Sequence, residues 1–140
     1  MPHIDLLAVL LSAIAAMAVG SFWYSVSSPM GKIWLKEVGF KPPTPAEMKE
    51  KNKEAMRAMA VYSVGVFITM YVYFHMLATY QTATYAISLQ GAFFTWLGFF
   101  AMPGIAGVVF EQKSWKLYAV NQSFNFVMLV IASLIFVAMN

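Results

Sequence analysis

The sequence contains no cysteine. This absence excludes disulfide bonds, thiolate metal sites, cysteine-held iron–sulfur clusters and a cysteine nucleophile, and it leaves the redox compartment undefined. Charge is also scarce, because Asp, Glu, Lys and Arg make up 11% of the 140 residues, against about a quarter in soluble domains. Since 61% of the residues are hydrophobic, the chain lacks the polar surface of a soluble protein. The composition indicates an integral membrane protein.

Sequence motifs of the common enzymes are absent as well. There is no GxSxG, no HExxH and no phosphate-binding glycine loop, and no pair of carboxylates lies within an apolar run. The sequence therefore offers no candidate catalytic residue, no metal site and no predicted cofactor, and we expect a protein that is not an enzyme.

The sequence does contain four apolar runs of spanning length. Each is long enough to cross a bilayer, which needs about 20 residues per helix, and each is continuous rather than alternating, which favours helices. We predict an all-α membrane protein with one four-helix transmembrane domain over residues 1–140 and spans at about 4–26, 56–80, 86–110 and 115–139. No basic segment precedes the first run, which is too long for a signal peptide, so we expect it to be retained.

The basic residues are distributed unevenly among the connections. All nine Lys and Arg lie in, or at the edge of, the connections between spans one and two and between spans three and four. The positive-inside rule places these connections in the cytoplasm and both termini on the non-cytoplasmic side of the cell (inner) membrane. Anionic lipid headgroups are then the expected partners of the cations. Nucleic-acid binding is not expected, because topology already explains the charge.

The first connection contains an amphipathic segment. Met30, Ile33 and Trp34 share one helical face, while Lys32 and Lys36 lie on the other. This pattern predicts a short interfacial helix over residues 30–38, with its tryptophan at headgroup depth.

A helix start is predicted further along the same connection. Thr44-Pro45-Ala46-Glu47 is typical of a capping box with proline at the first helical position. We therefore predict that span two extends into the cytoplasm over about residues 45–55. Its charged side chains are interpreted as a solvated helix end.

Two features bear on how the helices pack. Small residues recur every four positions at Ala8, Ser12, Ala16 and Gly20, a stripe that lets helices approach closely, either within the chain or with a second copy. Pro103 removes a backbone hydrogen bond and predicts a kink in span three. Because the second and third connections are short, spans two, three and four are expected to be antiparallel neighbours.

Strongly polar side chains within the spans are the main site candidates. Asn121 and Asn125 lie one turn apart on span four. We expect hydrogen bonds to Ser12, Thr95 or a carbonyl freed by Pro103, which is a structural role. The alternative is that Asn121 and Asn125 contact a ligand in a small-solute transporter or channel.

Two histidines are weaker candidates. His75 on span two and His3 before span one are both expected at the non-cytoplasmic side, where a pair could bridge a b-type haem or assist a quinone. Inert interfacial histidines are the favoured interpretation. A preparation without a Soret band would exclude the haem alternative.

Four stretches together resemble a known family. GSFWYS and GKIWLKEVGF after span one, LGFFAMP in span three and FEQKSWKLYAVN before span four are similar to the bacterial membrane family called domain of unknown function 1761, over nearly the whole chain. The resemblance implies a membrane protein without an assigned activity. It marks a cytoplasmic-side cluster that includes Trp23, Tyr24, Lys32, Trp34, Glu111 and Lys116.

One departure from the family pattern concerns span three. Family members often carry polar residues after the proline, where this chain has GIAG, which weakens the expectation of a polar pocket there.

Three functional hypotheses follow. The leading one is a non-catalytic accessory or structural subunit of a membrane complex or homo-oligomer. The alternatives are a small-solute transporter or channel, and a haem- or quinone-associated redox protein that uses His75.

Overall fold

The computed structural model describes all 140 residues, and the chain's only regular secondary structure is helical. Four helices are long and apolar enough to cross a membrane, which confirms the predicted all-α, four-span fold of a multi-pass membrane protein. A π-helical segment, Leu97–Ala101, joins the helix Tyr85–Trp96 to the helix Met102–Val109, so that these two helices form the third span. The α-helices are α1 (Leu6–Trp23), α2 (Pro29–Glu37), α3 (Met48–Thr79), α4 (Tyr85–Trp96), α5 (Met102–Val109) and α6 (Trp115–Met139).

Two helix starts show how local capping sets the boundaries. The N-cap of α1 is Asp5, whose Oδ1 accepts a hydrogen bond from the Leu7 amide at 2.9 Å. The expected start of α3 at residue 45 is wrong, because Thr44 does not cap the helix. The Thr44 amide donates a hydrogen bond to Glu47 Oε2 at 3.4 Å, but the Thr44 side chain makes no capping bond in return, so only half of the capping box forms. Helix α3 begins at Met48.

The bundle is organised around α6. Helix α1 packs against both α3 and α6, and α4 packs against α6. The small-residue stripe of α1 is used inside the chain, since Ala8, Ser12 and Ala16 are buried. At Gly20 an added Cβ would lie 2.9 Å from Phe124 Cζ, so the stripe makes room for the side chains of α6.

Spans two and three are not the close neighbours that their short connection suggests. Helix α4 approaches α3 at Gly91, where an added Cβ would lie 3.6 Å from Leu77 Cδ2, but the two helices share few contacts and a groove separates them. Both are tied to α6 instead. Tyr73 of α3 shares a 2.8 Å hydrogen bond with the Ser133 hydroxyl, and Ser88 of α4 donates to the Ser133 carbonyl at 3.2 Å.

All nine Lys and Arg lie toward one end of the bundle, where α1 and α5 end and α3 and α6 begin. We refer to it as the basic end. Residues 48–57 of α3 are all exposed, which makes about 15 Å of helix at 1.5 Å per residue. The short helix α2 lies at the same end, against α1 and α6.

Candidate functional site at the basic end

A tight turn places α2 against the end of α1. Ser28, the N-cap of α2, is fully buried; its hydroxyl accepts the Gly31 amide at 2.8 Å and donates to the Trp23 carbonyl at 2.5 Å. A Cβ at Gly31 would lie 1.7 Å from the Ser25 carbonyl oxygen. Only glycine permits this approach, which sets the position of Trp34 one turn later.

Aromatic rings and two hydrogen bonds then join α1, α2 and α6. The Tyr24 ring meets Trp34 and Phe124 edge to face, at centroid distances of 5.4 and 5.5 Å. Its hydroxyl donates to Asn121 Oδ1 at 2.8 Å. The indole N–H of Trp23 donates to a backbone carbonyl of α6 at 3.2 Å. Of the six residues in the predicted cluster, the structure places Trp23, Tyr24 and Trp34 together.

A cleft of about 550 Å³ opens beside this cluster. Helices α1, α2, α3 and α6 all contribute to its walls. Gly20 has no side chain that would narrow the cleft on the α1 side, and the side chains around the rest of the cleft are mainly aromatic. The lining residues are Ala16, Met17, Gly20, Ser21, Tyr24, Trp34, Met59, Tyr62, Asn121 and Phe124.

A second cavity of about 350 Å³ lies between α5 and α6, and Asn121 lines this one too. It is polar despite the GIAG sequence, because its polar groups come from α6 and from the turn after α5. At that turn Lys113 Nζ lies 3.0 Å from Glu111 Oε2. A Cβ added at Gly104 would lie only 2.5 Å from the side-chain amide nitrogen of Gln122. We call this cavity the α5–α6 pocket.

The expected kink at Pro103 takes the form of the π-helical segment. Tyr118 on α6 donates its hydroxyl to the Ala101 carbonyl at 2.6 Å, and the Trp96 indole donates to the Gln122 carbonyl at 2.8 Å. These bonds hold the irregular backbone against α6, which a bilayer requires because it offers no water to the freed groups. The predicted site residues did not include Tyr118, Trp96 and Gln122, although aromatic side chains with polar atoms near an intramembrane proline were an available signal.

The two asparagines have partners other than those expected. Asn121 is bonded to Tyr24, and Asn125 Nδ2 donates to Gln122 Oε1 on its own helix at 3.4 Å. Ser12 is fully buried, and its hydroxyl has no hydrogen-bond partner. The hydrogen bonds predicted for the two asparagines, to Ser12, Thr95 or a carbonyl freed by Pro103, are therefore wrong. Asn121 is bonded to Tyr24 instead, and Asn125 to Gln122.

The remaining candidates lie apart from the cluster. The His75 ring stacks on Tyr71 at a centroid distance of 6.5 Å, and His3 is exposed near the amino terminus. Lys32 and Lys116 are exposed at the basic end. No group of three or more His, Cys, Asp or Glu side chains that could hold a metal is present.

Comparisons with known proteins agree with the motif resemblance. A family model described as "Protein of unknown function (DUF1761)" matches residues 7–137, which cover nearly all of the four spans. Neither the curated proteins nor the solved structures contain a significant match.

Proposed function

The chain belongs to the family described as Protein of unknown function (DUF1761), and from this premise we propose that it is a non-catalytic accessory subunit of a bacterial inner-membrane complex. The observation that carries the proposal is the groove between α3 and the third span. It leaves the bundle open on one side, toward the bilayer, where a helix of another subunit can pack.

The groove consists of two adjoining cavities of about 360 and 380 Å³, which share Tyr73, Met76, Thr95 and Phe99. Along α3 it extends from Tyr80 to residue 68, roughly 18 Å at 1.5 Å per residue, which is more than half of the ~30 Å hydrocarbon core. Only 11% of the apolar stretch of the third span is buried, against 28 to 33% in the other three spans. The third span therefore has unusually little packing within its own chain.

Apolar exposure alone does not indicate a partner, because lipid covers apolar side chains equally well. Thr95 provides the additional argument. It lines both cavities of the groove, it is half-buried, and its hydroxyl makes no hydrogen bond within the chain. By contrast, the Thr69 hydroxyl donates to the Gly65 carbonyl at 2.9 Å. We expect a partner helix with a polar acceptor opposite Thr95, a contact of the kind that contributes about 0.6 to 2 kcal/mol between membrane helices.

The polar side chains that form hydrogen bonds between helices also support a non-catalytic role. The hydroxyl of Tyr24, the indole N–H groups of Trp23 and Trp96, and the hydroxyl of Tyr118 all donate to other helices. Their hydrogen bonds join α1, α6 and the third span. This use of polar atoms is typical of helix assembly in membranes rather than of proton transfer.

Photocrosslinking in native membranes tests the proposal. A photoreactive residue would replace Phe99, which lines the groove and is 73% exposed, or Ile14, which is 56% exposed on α1 and serves as the control. We expect a protein adduct from position 99 and none from position 14. Thr95→Val should reduce the adduct several-fold, whereas Thr69→Val should not.

The nature of the adduct decides the outcome. Two differently tagged copies expressed together reveal any adduct between copies, which would contradict a hetero-complex and favour a homo-oligomer. Lipid adducts alone from position 99 would contradict both.

We further propose that the basic end faces the cytoplasm and that both termini lie on the non-cytoplasmic side. The lysines and Arg57 would then lie near anionic headgroups. The partition of all nine Lys and Arg to that end supports this orientation.

A small-solute transporter or channel is the second candidate, favoured by the position of Asn121 between the cleft and the polar α5–α6 pocket. Single cysteine substitutions test this candidate without background labelling of the protein, because the chain has no cysteine of its own. If the protein is a transporter or channel, Asn121→Cys should react with aqueous maleimides faster than Asn125→Cys, because position 125 lies outside both cavities. An unreactive cysteine at position 121 would contradict it.

A further inference from the structure

The cleft at the basic end spans two environments. Tyr24, Trp34 and Tyr62 lie toward the basic end, and Tyr and Trp rings of this kind are typical of the headgroup level. Ala16 lies eight residues before Tyr24 on α1, which places the deep end of the cleft about 12 Å further into the bilayer. At about 550 Å³ the cleft is within the size range of ligand sites. A molecule that fills it must be polar at one end and apolar at the other.

Polar groups in the cleft have unused hydrogen-bonding capacity. Asn121 accepts a hydrogen bond from Tyr24 through Oδ1, but its NH₂ group makes no hydrogen bond within the chain. The Tyr62 hydroxyl lines the same cleft and also makes none. The Ser21 hydroxyl, by contrast, donates to the Met17 carbonyl at 2.8 Å. The two unused donors point to a ligand with acceptor oxygens.

The charges at the basic end favour an anion over a cation. No residue that lines it is acidic. Helix α2 carries the exposed Lys32 and Lys36, and α3 carries the exposed Arg57, so three cations lie at the same end of the bundle as the cleft. Cations at the headgroup level attract anionic lipid, with about 1 kcal/mol for each Lys or Arg.

We propose that the cleft binds one anionic phospholipid from the leaflet at the basic end. Its phosphate oxygens accept hydrogen bonds from Asn121 and Tyr62, and an acyl chain lies along Met17 and Phe124 toward Ala16. This site is independent of the groove between α3 and the third span, and it does not rest on the accessory role.

Native mass spectrometry of the full chain in detergent measures such binding directly. The protein would be titrated with phosphatidylglycerol or with phosphatidylethanolamine of identical acyl chains. We expect one phosphatidylglycerol molecule to be retained, with about tenfold higher affinity than phosphatidylethanolamine. Glycerol phosphate alone should not displace it, because the apolar part of the cleft contributes to binding.

Matched variants locate the site. Met59→Trp fills the cleft from a position that is 51% exposed, and Met56→Trp makes the same change one turn away at a position that is 73% exposed. We expect about a tenfold loss of affinity in the first variant and no change in the second. Equal affinity for the two lipids, equal effects of the two variants, or displacement by glycerol phosphate would each overturn the proposal.

Discussion

For single residues, the atoms around a glycine determine whether it is replaceable. At Gly31 an added Cβ would meet the backbone of Ser25 at 1.7 Å, and backbone cannot move aside without moving α2. At Gly104 the obstacle is the end of the flexible Gln122 side chain, which can rotate away. At Gly65, in α3, nothing lies within 4 Å. Gly31 is therefore the glycine on which the position of Trp34, and with it the cleft, depends.

Gly31→Ala should destabilise the protein by about 3 kcal/mol, because the new methyl group overpacks a backbone contact. Gly65→Ala is the matched control and should stabilise it by roughly 0.5 to 1 kcal/mol, since alanine is the better helix former. Thermal or denaturant unfolding of both variants in the same detergent gives the comparison. Similar stability of the two would show that the turn before α2 is not as tight as the structure indicates.

Among the helical elements, the third span differs from the others because its backbone is irregular. The π-helical segment Leu97–Ala101 precedes Pro103, and a side chain from α6 supplies a donor to it. Hydrogen bonds from a neighbouring helix are one way in which membrane helices tolerate proline. The stability of this segment thus depends on Tyr118 as well as on its own sequence.

Tyr118→Phe should lower the free energy of unfolding by about 1 kcal/mol, because it removes the hydrogen bond to the Ala101 carbonyl and leaves the ring in place. Tyr80→Phe provides the control, since its side chain is 75% exposed and makes no hydrogen bond. Hydrogen exchange should also be faster in residues 97–102 of the first variant only. An unchanged exchange rate there would contradict the supporting role of Tyr118.

The sequence predicts elements better than it predicts how they pack. The length of its apolar runs indicates four spans, and the faces of residues 30–38 indicate the short helix α2, because both signals are local. The π-helical segment, the groove beside Thr95 and the partner of Asn121 depend on which helices meet around α6. Neither loop length nor the spacing of small residues contains that information, and this is why the groove between spans two and three was not predicted.

In the molecule as a whole, charge is confined to the two ends and cations to one of them. The amino-terminal end carries Asp5 and the opposite end carries every Lys and Arg. A membrane protein with this partition has one favoured orientation. The lipid cleft and the arm formed by residues 48–57 lie on the same side, so the orientation also determines which leaflet and which compartment they face.

Single cysteines test the orientation. With an impermeant maleimide on spheroplasts, we expect Asn140→Cys to be labelled at once and Lys51→Cys only after the cells are lysed. Both positions are exposed, so accessibility within the protein does not limit either reaction. Immediate labelling at position 51, or protection at position 140, would reverse the proposed topology.

A π turn holds more residues than an α turn, so the third span contains one residue more than a regular α-helix of the same height would need. That extra residue sets the angular offset between α4, which faces the groove, and α5, which faces the polar pocket. Deleting one residue within Leu97–Ala101 would rotate the two halves by roughly 100° relative to each other. We therefore expect insertions and deletions at this point, unlike those in the loops, to change which side of the bundle each cavity occupies.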